Sequence, residues 1–229
     1  MIGGHSNQHI SQCQWLVVGV CLSALAALGA EPVVFDRAVA SVDGRVVTQS
    51  QLDFETRVLL INAGGAQAAT APLAVDDLKK GLELIIDQRV TTLEADKLDA
   101  YQLEDGEVEK LAARFRDAIG GEAELRRFLD DHEAELNDIA QVLRRSLRSS
   151  RVLDGRLRLR AQVSEADARR YQVEHAELKG LTVQQVRELL FTNRFKEMVR
   201  QELKAARKSV DVRLLGPFAT QPTPAGATP

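Results

Sequence analysis

Leu78, Leu82, Ile85, Ile86, Val90 and Leu93 recur three and four residues apart, in a stretch that opens on Asp76-Asp77 and runs to about Leu98. That spacing lines one face of a helix, and the paired acids sit where a helix N-terminus favours negative charge. The pattern returns from Glu104 to Ile119 with Val108, Leu111, Ala112, Phe115 and Ile119, and Gly120-Gly121 stops it. A short helix from Glu122 to Asp131 presents Leu125, Phe128 and Leu129. A long one from about Glu133 to Leu157 presents Leu136, Ile139, Val142, Leu143 and Leu147.

Capping residues place the other helix starts. Thr48 with Gln51, Ser164 with Asp167, and Thr182 with Gln185 each pair a hydroxyl with a side chain three residues on, able to bond the free backbone N–H groups of a first turn. They open helices to about Ile61, Glu174 and Lys208, the last about 40 Å long at 1.5 Å per residue. Residues 62–72 read as a flexible loop and residues 176–181 as a brief linker. The six prolines fall at 32, 72, 217, 222, 224 and 229, so residues 73–216 contain no helix breaker.

At the two ends the period changes from helical to alternating. Ala38–Val42 and Arg45–Thr48 are β-branched runs around Asp43-Gly44, a pair suited to a two-residue turn with positive φ at both positions. A lone hairpin is marginal in water, and Val210–Leu215 is the other segment with strand alternation. The expected fold is mostly α: a multi-helix domain over residues 36–215, with a small antiparallel sheet joining the N-terminal hairpin to the C-terminal strand. The Pro-, Thr- and Ala-rich segment 216–229 is expected to be a disordered tail.

Of the 229 residues 45% are hydrophobic, 28% charged and 4% aromatic, the composition of a globular protein with an aliphatic core. Residues 15–28 form one apolar run followed by small residues and Pro32, which reads as the apolar region and cleavage zone of a signal peptide over residues 1–30, although no Lys or Arg precedes Trp15. No stable membrane span is then expected after leader removal, because the run is shorter than a spanning helix needs. Cys13 and Cys21 both lie in the leader, so an exported chain would carry no thiol for disulfides, nucleophilic chemistry or metal binding. The net charge of −3 gives no general attraction to nucleic acid.

Outside the leader the histidines are His132 and His175, and no metal-ligand spacing, phosphate-binding glycine loop or nucleophile elbow occurs. Catalytic, cofactor-binding and metal-binding residues are therefore none. The run from Leu143 to Arg160 interleaves arginine with leucine. It reads as a solvated or internally paired helix face, with docking onto an acidic partner as the alternative. Phe115, Phe128, Phe191, Phe195 and Met198 are the large adaptable apolar residues, either packed inside or lining a groove for unfolded chains.

The segment Ala38-Val39-Ala40-Ser41-Val42-Asp43-Gly44-Arg45-Val46-Val47-Thr48-Gln49-Ser50-Gln51-Leu52 resembles the start of mature SurA-type periplasmic chaperones. Leu82–Val90, Leu125–Leu129 and Val163–Tyr171 follow in the order of that family's N-terminal domain, Val163–Tyr171 being similar to the segment that usually precedes a parvulin prolyl-isomerase domain. Where that domain would sit, this chain has only the link from about His175 to Leu181. The resemblance implies a SurA N-terminal-like, trigger-factor C-terminal-like helical fold. It also implies an ATP-independent periplasmic chaperone that holds unfolded envelope or outer-membrane proteins. Two alternatives stand beside it: a peptidyl-prolyl cis-trans isomerase by family relationship, and a non-catalytic structural adaptor docking through the arginine-rich helix.

Overall fold

A computed structural model describes residues 36–219; the expected signal peptide and the rest of the expected tail lie outside the described residues. The chain is mostly helical with one three-stranded antiparallel sheet. β1 (Ala38–Val42) and β2 (Arg45–Thr48) are followed by α1 (Gln49–Asn62), α2 (Val75–Lys97), α3 (Asp105–Ile119), α4 (Glu122–Asp131), α5 (Leu136–Leu157), α6 (Glu165–Glu174), α7 (Val183–Lys208) and β3 (Val212–Leu214).

The sheet order is β2-β1-β3, so the first strand is central. Asp43 and Gly44 take φ of 51° and 75°, the left-handed pair that this two-residue turn demands. β3 pairs Ala40 with Leu214, Ser41 with Arg213 and Val42 with Val212. Backbone bonds from Asp43 N–H to the Asp211 carbonyl (2.9 Å) and from Leu215 N–H to the Val39 carbonyl (2.8 Å) extend the ladder at both ends. Under the sheet Val39, Val42 and Val47 pack with Leu52 of α1 and Leu82, Ile85, Ile86 and Val90 of α2, closed by Ala206 and Val210. A second core joins Val58 and Ile61 of α1 to Phe115 and Ile119 of α3, Leu125 and Phe128 of α4, and Ile139, Val142 and Leu143 of α5. A third, small core holds α6 on α7 through Val163, Ala168 and Val186.

The capping pattern is realised at the three hydroxyl positions: Thr48, Ser164 and Thr182 each accept from the backbone N–H three residues on. Several boundaries differ from the sequence reading. α5 begins at Leu136 rather than near Glu133, because Glu133 takes φ of 50° and turns the chain between α4 and α5. The segment expected to be a flexible loop after α1 contains a 3-10 turn, Ala66–Ala69, and Arg57 of α1 donates to the carbonyls of Ala68 (2.7 Å) and Ala71 (2.9 Å). Beyond β3, Gly216–Phe218 forms another such turn whose Phe218 packs on the first core, so order continues past the boundary expected at Gly216.

α2 packs closely against Thr56 of α1 at Gly81. A methyl group there would lie 2.1 Å from the Thr56 hydroxyl oxygen, inside any allowed separation. Gly81→Ala is expected to destabilise by about 1–3 kcal/mol through overpacking, even though alanine is the better helix former by about 1 kcal/mol. Thr56 is buried and its hydroxyl has no partner, and Thr56→Ala in the same chain removes the Oγ1 and Cγ2 contacts while leaving that of Cβ at 2.9 Å, so it should restore part of the loss. Chemical denaturation of the two single variants and the double variant measures this coupling.

Candidate functional site

α5 packs against several other helices, and most of its arginines are spent internally. Arg145 bonds Glu55 of α1 at 2.5 Å, and the same carboxylate takes Arg89 of α2 at 3.0 Å. Arg148 pairs with Asp96 and donates to the Ala100 carbonyl (3.1 Å). Arg151 pairs with Glu107 and donates to the Gln102 carbonyl (3.2 Å). Arg156 bridges Glu94 (2.9 Å) and Glu202 (3.1 Å). The expectation of an internally paired face thus holds for most of the run. Burial pushes the Arg145 guanidinium down, against the pull of Glu55. At the half-buried Glu107, the hydrogen bond from Arg151 holds the carboxyl below its usual range.

Two of these arginines strap the α2–α3 loop onto α5. Asp99 and Tyr101 take φ of 47° and 59° in that loop, and the Tyr101 ring lies 2.7 Å from where a Gly155 side chain would begin. A glycine in mid-helix is what lets the loop lie against α5 at that point.

Successive positions 136, 140, 144, 147, 151 and 154 fall on one face of α5 by helical periodicity. Two apolar clefts open along that face. The first, of about 410 Å³, is formed where Ala112 and Ala113 of α3 face Ala140, with Val108, Leu125 and Leu136 around it and Phe115 beneath. Small side chains on the facing helices are what leave it concave, and Leu136 at its mouth is 59% exposed. The second, of about 480 Å³, lies between α5 and α7 and is lined by Leu147, Leu153, Phe195 and Val199, with Arg151 and Asp154 at its edge. The Phe195 ring stacks on Phe191 at 5.9 Å, so its orientation is fixed by the arm formed by α6 and α7.

The five aromatic and methionine candidates therefore separate. Phe115 is 1% exposed and Phe128 is 2% exposed: both belong to the second core, and Phe115 also forms the floor of the first cleft. Phe191, Phe195 and Met198 are half-buried on α7, and of these Phe195 lines a cleft. Leu147, Leu153, Val199 and the alanines of the first cleft were not singled out as site residues. The signal of the alanines, small residues facing one another on adjacent helices, and that of Leu147, Leu153 and Val199, an apolar stripe left uncovered, exist only once it is known which helices are neighbours.

A third cleft, of about 610 Å³, lies beside α1 and the start of α5, with Asp53, Glu55, Arg89, His132 and Arg145 among its lining. Its central carboxylates are committed, Glu55 to the two arginines and Asp53 to Arg57 at 2.6 Å. The His132 ring bonds the Phe128 carbonyl through Nδ1 (2.8 Å), and His175 stacks on Tyr171 at 3.9 Å. Among the described residues no group of three or more His, Cys, Asp or Glu is placed to hold a metal ion, and no helix is long and apolar enough to cross a membrane. No protein-family model and no curated protein matches the chain.

Proposed function

We propose that the chain is an ATP-independent periplasmic holdase of the SurA type, which binds unfolded envelope or outer-membrane proteins along the outer face of α5. The observation that carries this reading is the pair of open apolar clefts set end to end on one helix, where a folded protein would otherwise bury such surface. The order of sequence segments and the signal-peptide-like leader support the family and the compartment. Holding an unfolded chain requires adaptable apolar surface and no covalent step.

The adaptor reading loses most of its surface, since Arg145, Arg148, Arg151 and Arg156 face acids of the same chain. The isomerase reading has no observation in its favour: the connection from α6 to α7 is a 3-10 turn, Ala176–Leu178, and three further residues before the Thr182 cap.

The test is Phe195→Glu combined with Leu147→Glu, both half-buried positions whose side chains face the second cleft. A charge there should raise the amount of protein needed to suppress aggregation of an unfolded outer-membrane protein about ten-fold, the scale of losing a central apolar anchor. Circular dichroism should show the fold unchanged. Full suppression by the folded double variant removes the α5–α7 cleft from the mechanism.

A further inference from the structure

The two clefts are separated by a charge. Arg144 stands on the same face of α5 between Ala140 of the first cleft and Leu147 of the second, exposed and without an ion-pair or hydrogen-bond partner among the described residues. The next three arginines of the helix are all committed to acids, so Arg144 is the exception. The rim of the first cleft also carries Arg116, Glu109 and Glu122. Neither acid pairs with Arg144, and Glu122 lies 4.0 Å from Arg126.

The spacing of the clefts sets a length. Their α5 contributions centre near Ala140 and Arg151, about 16 Å apart at 1.5 Å per residue. An extended chain covers that distance in about five residues at 3.3 Å each, and side chains alternate sides, so two anchors reach the same surface at i and i+4 or i and i+6. The residue at i+2 points the same way and arrives over Arg144. An apolar side chain there would strip water from an unpaired guanidinium, and a basic one would repel it.

We infer that the α5 face selects extended segments with bulky apolar side chains at i and i+4 or i+6 and an acidic side chain between them on the same side. This rests on the holdase reading and specifies its ligand.

The experiment measures fluorescence-labelled peptides binding to the chain lacking residues 1–30. One peptide carries leucine anchors at i and i+4 with glutamate at i+2, a second replaces the glutamate by lysine, and a third keeps the composition but places the leucines side by side. The glutamate peptide should bind about three- to ten-fold more tightly than the lysine peptide, the range of an exposed ion pair gained against a like-charge contact. That preference should vanish in Arg144→Gln, an exposed position whose replacement leaves thermal unfolding unchanged. The side-by-side peptide should bind least. Equal binding of the first two peptides, or a preference that survives in Arg144→Gln, overturns the acidic selection while leaving the holdase reading in place. Equal binding of the third peptide overturns the spacing. Failure of every peptide to bind, together with no suppression of aggregation by the wild-type chain, takes the holdase reading down with it.

Discussion

Replacing Glu55 by alanine is expected to destabilise the fold by about 3–5 kcal/mol, the range for stranding the partners of a buried ion pair. Glu55 is 6% exposed, and its two oxygens separately hold Arg89 at 3.0 Å and Arg145 at 2.5 Å, so one carboxylate ties α1, α2 and α5 together. Arg89 also reaches the Val46 carbonyl of β2 at 3.4 Å. Without the carboxylate, two largely buried guanidinium groups face one another with no anion between them. Their Nε groups are already buried and unbonded, so the loss of the carboxylate adds to donors that lack a partner. Glu55→Gln should cost less than Glu55→Ala, because the amide oxygen still accepts one hydrogen bond. The decisive comparison is Glu55→Leu with Arg89→Met and Arg145→Leu, which removes all three charges at similar volume. If charge burial dominates, this triple variant should be as stable as the wild type or more stable. If it is as damaged as Glu55→Ala in urea denaturation, the cluster contributes through shape and the electrostatic account is wrong.

That cluster also marks what the sequence could and could not disclose. Local features were legible: the Asp43-Gly44 turn, the hydroxyl caps at Thr48, Ser164 and Thr182, and the apolar stripes of α2 and α3 each depend on residues within four positions of one another. The arginine run was legible as a paired face, but Arg145 finds its acid 90 residues away, and nothing local names Glu55. The start of α5 was misplaced because periodicity continues through Glu133, whereas the backbone there is left-handed. The candidate site was the least legible part. Leu136 and Leu147 fit the same helical stripe as the core residues Ile139 and Leu143, yet Leu136 is 59% exposed and Leu147 borders a cleft. Phe115 and Phe195 look equivalent as sequence, yet Phe115 is buried on the floor of one cleft and Phe195 is half-buried in the wall of the other. Amphipathic spacing gives a direction on a helix; whether something covers that direction is decided by distant parts of the chain.

The same dependence on distant parts makes the C-terminal strand an anchor of the whole domain. Ending the chain after Ser209 removes Val210, Val212, Leu214 and Phe218, all packed on the first core, and leaves β1 with an open edge. The ladder from Ala40 to Leu214 and the flanking bonds of Asp43 and Leu215 go with them. Three of these side chains are only half-buried, so at about 1.5–3 kcal/mol for a fully buried apolar residue the loss is about 4–6 kcal/mol. For a domain of this size that lowers the unfolding temperature by about 10–20 °C. A strand that merely trims the surface would give a different signature from one that closes the fold. In hydrogen exchange, the closing role predicts that amides of α3 and α5, which belong to the second core, lose protection together with those of β1. Loss confined to the sheet would mean that the two cores open independently. An unchanged unfolding temperature would mean that β3 is dispensable and that the helices hold the hairpin without it.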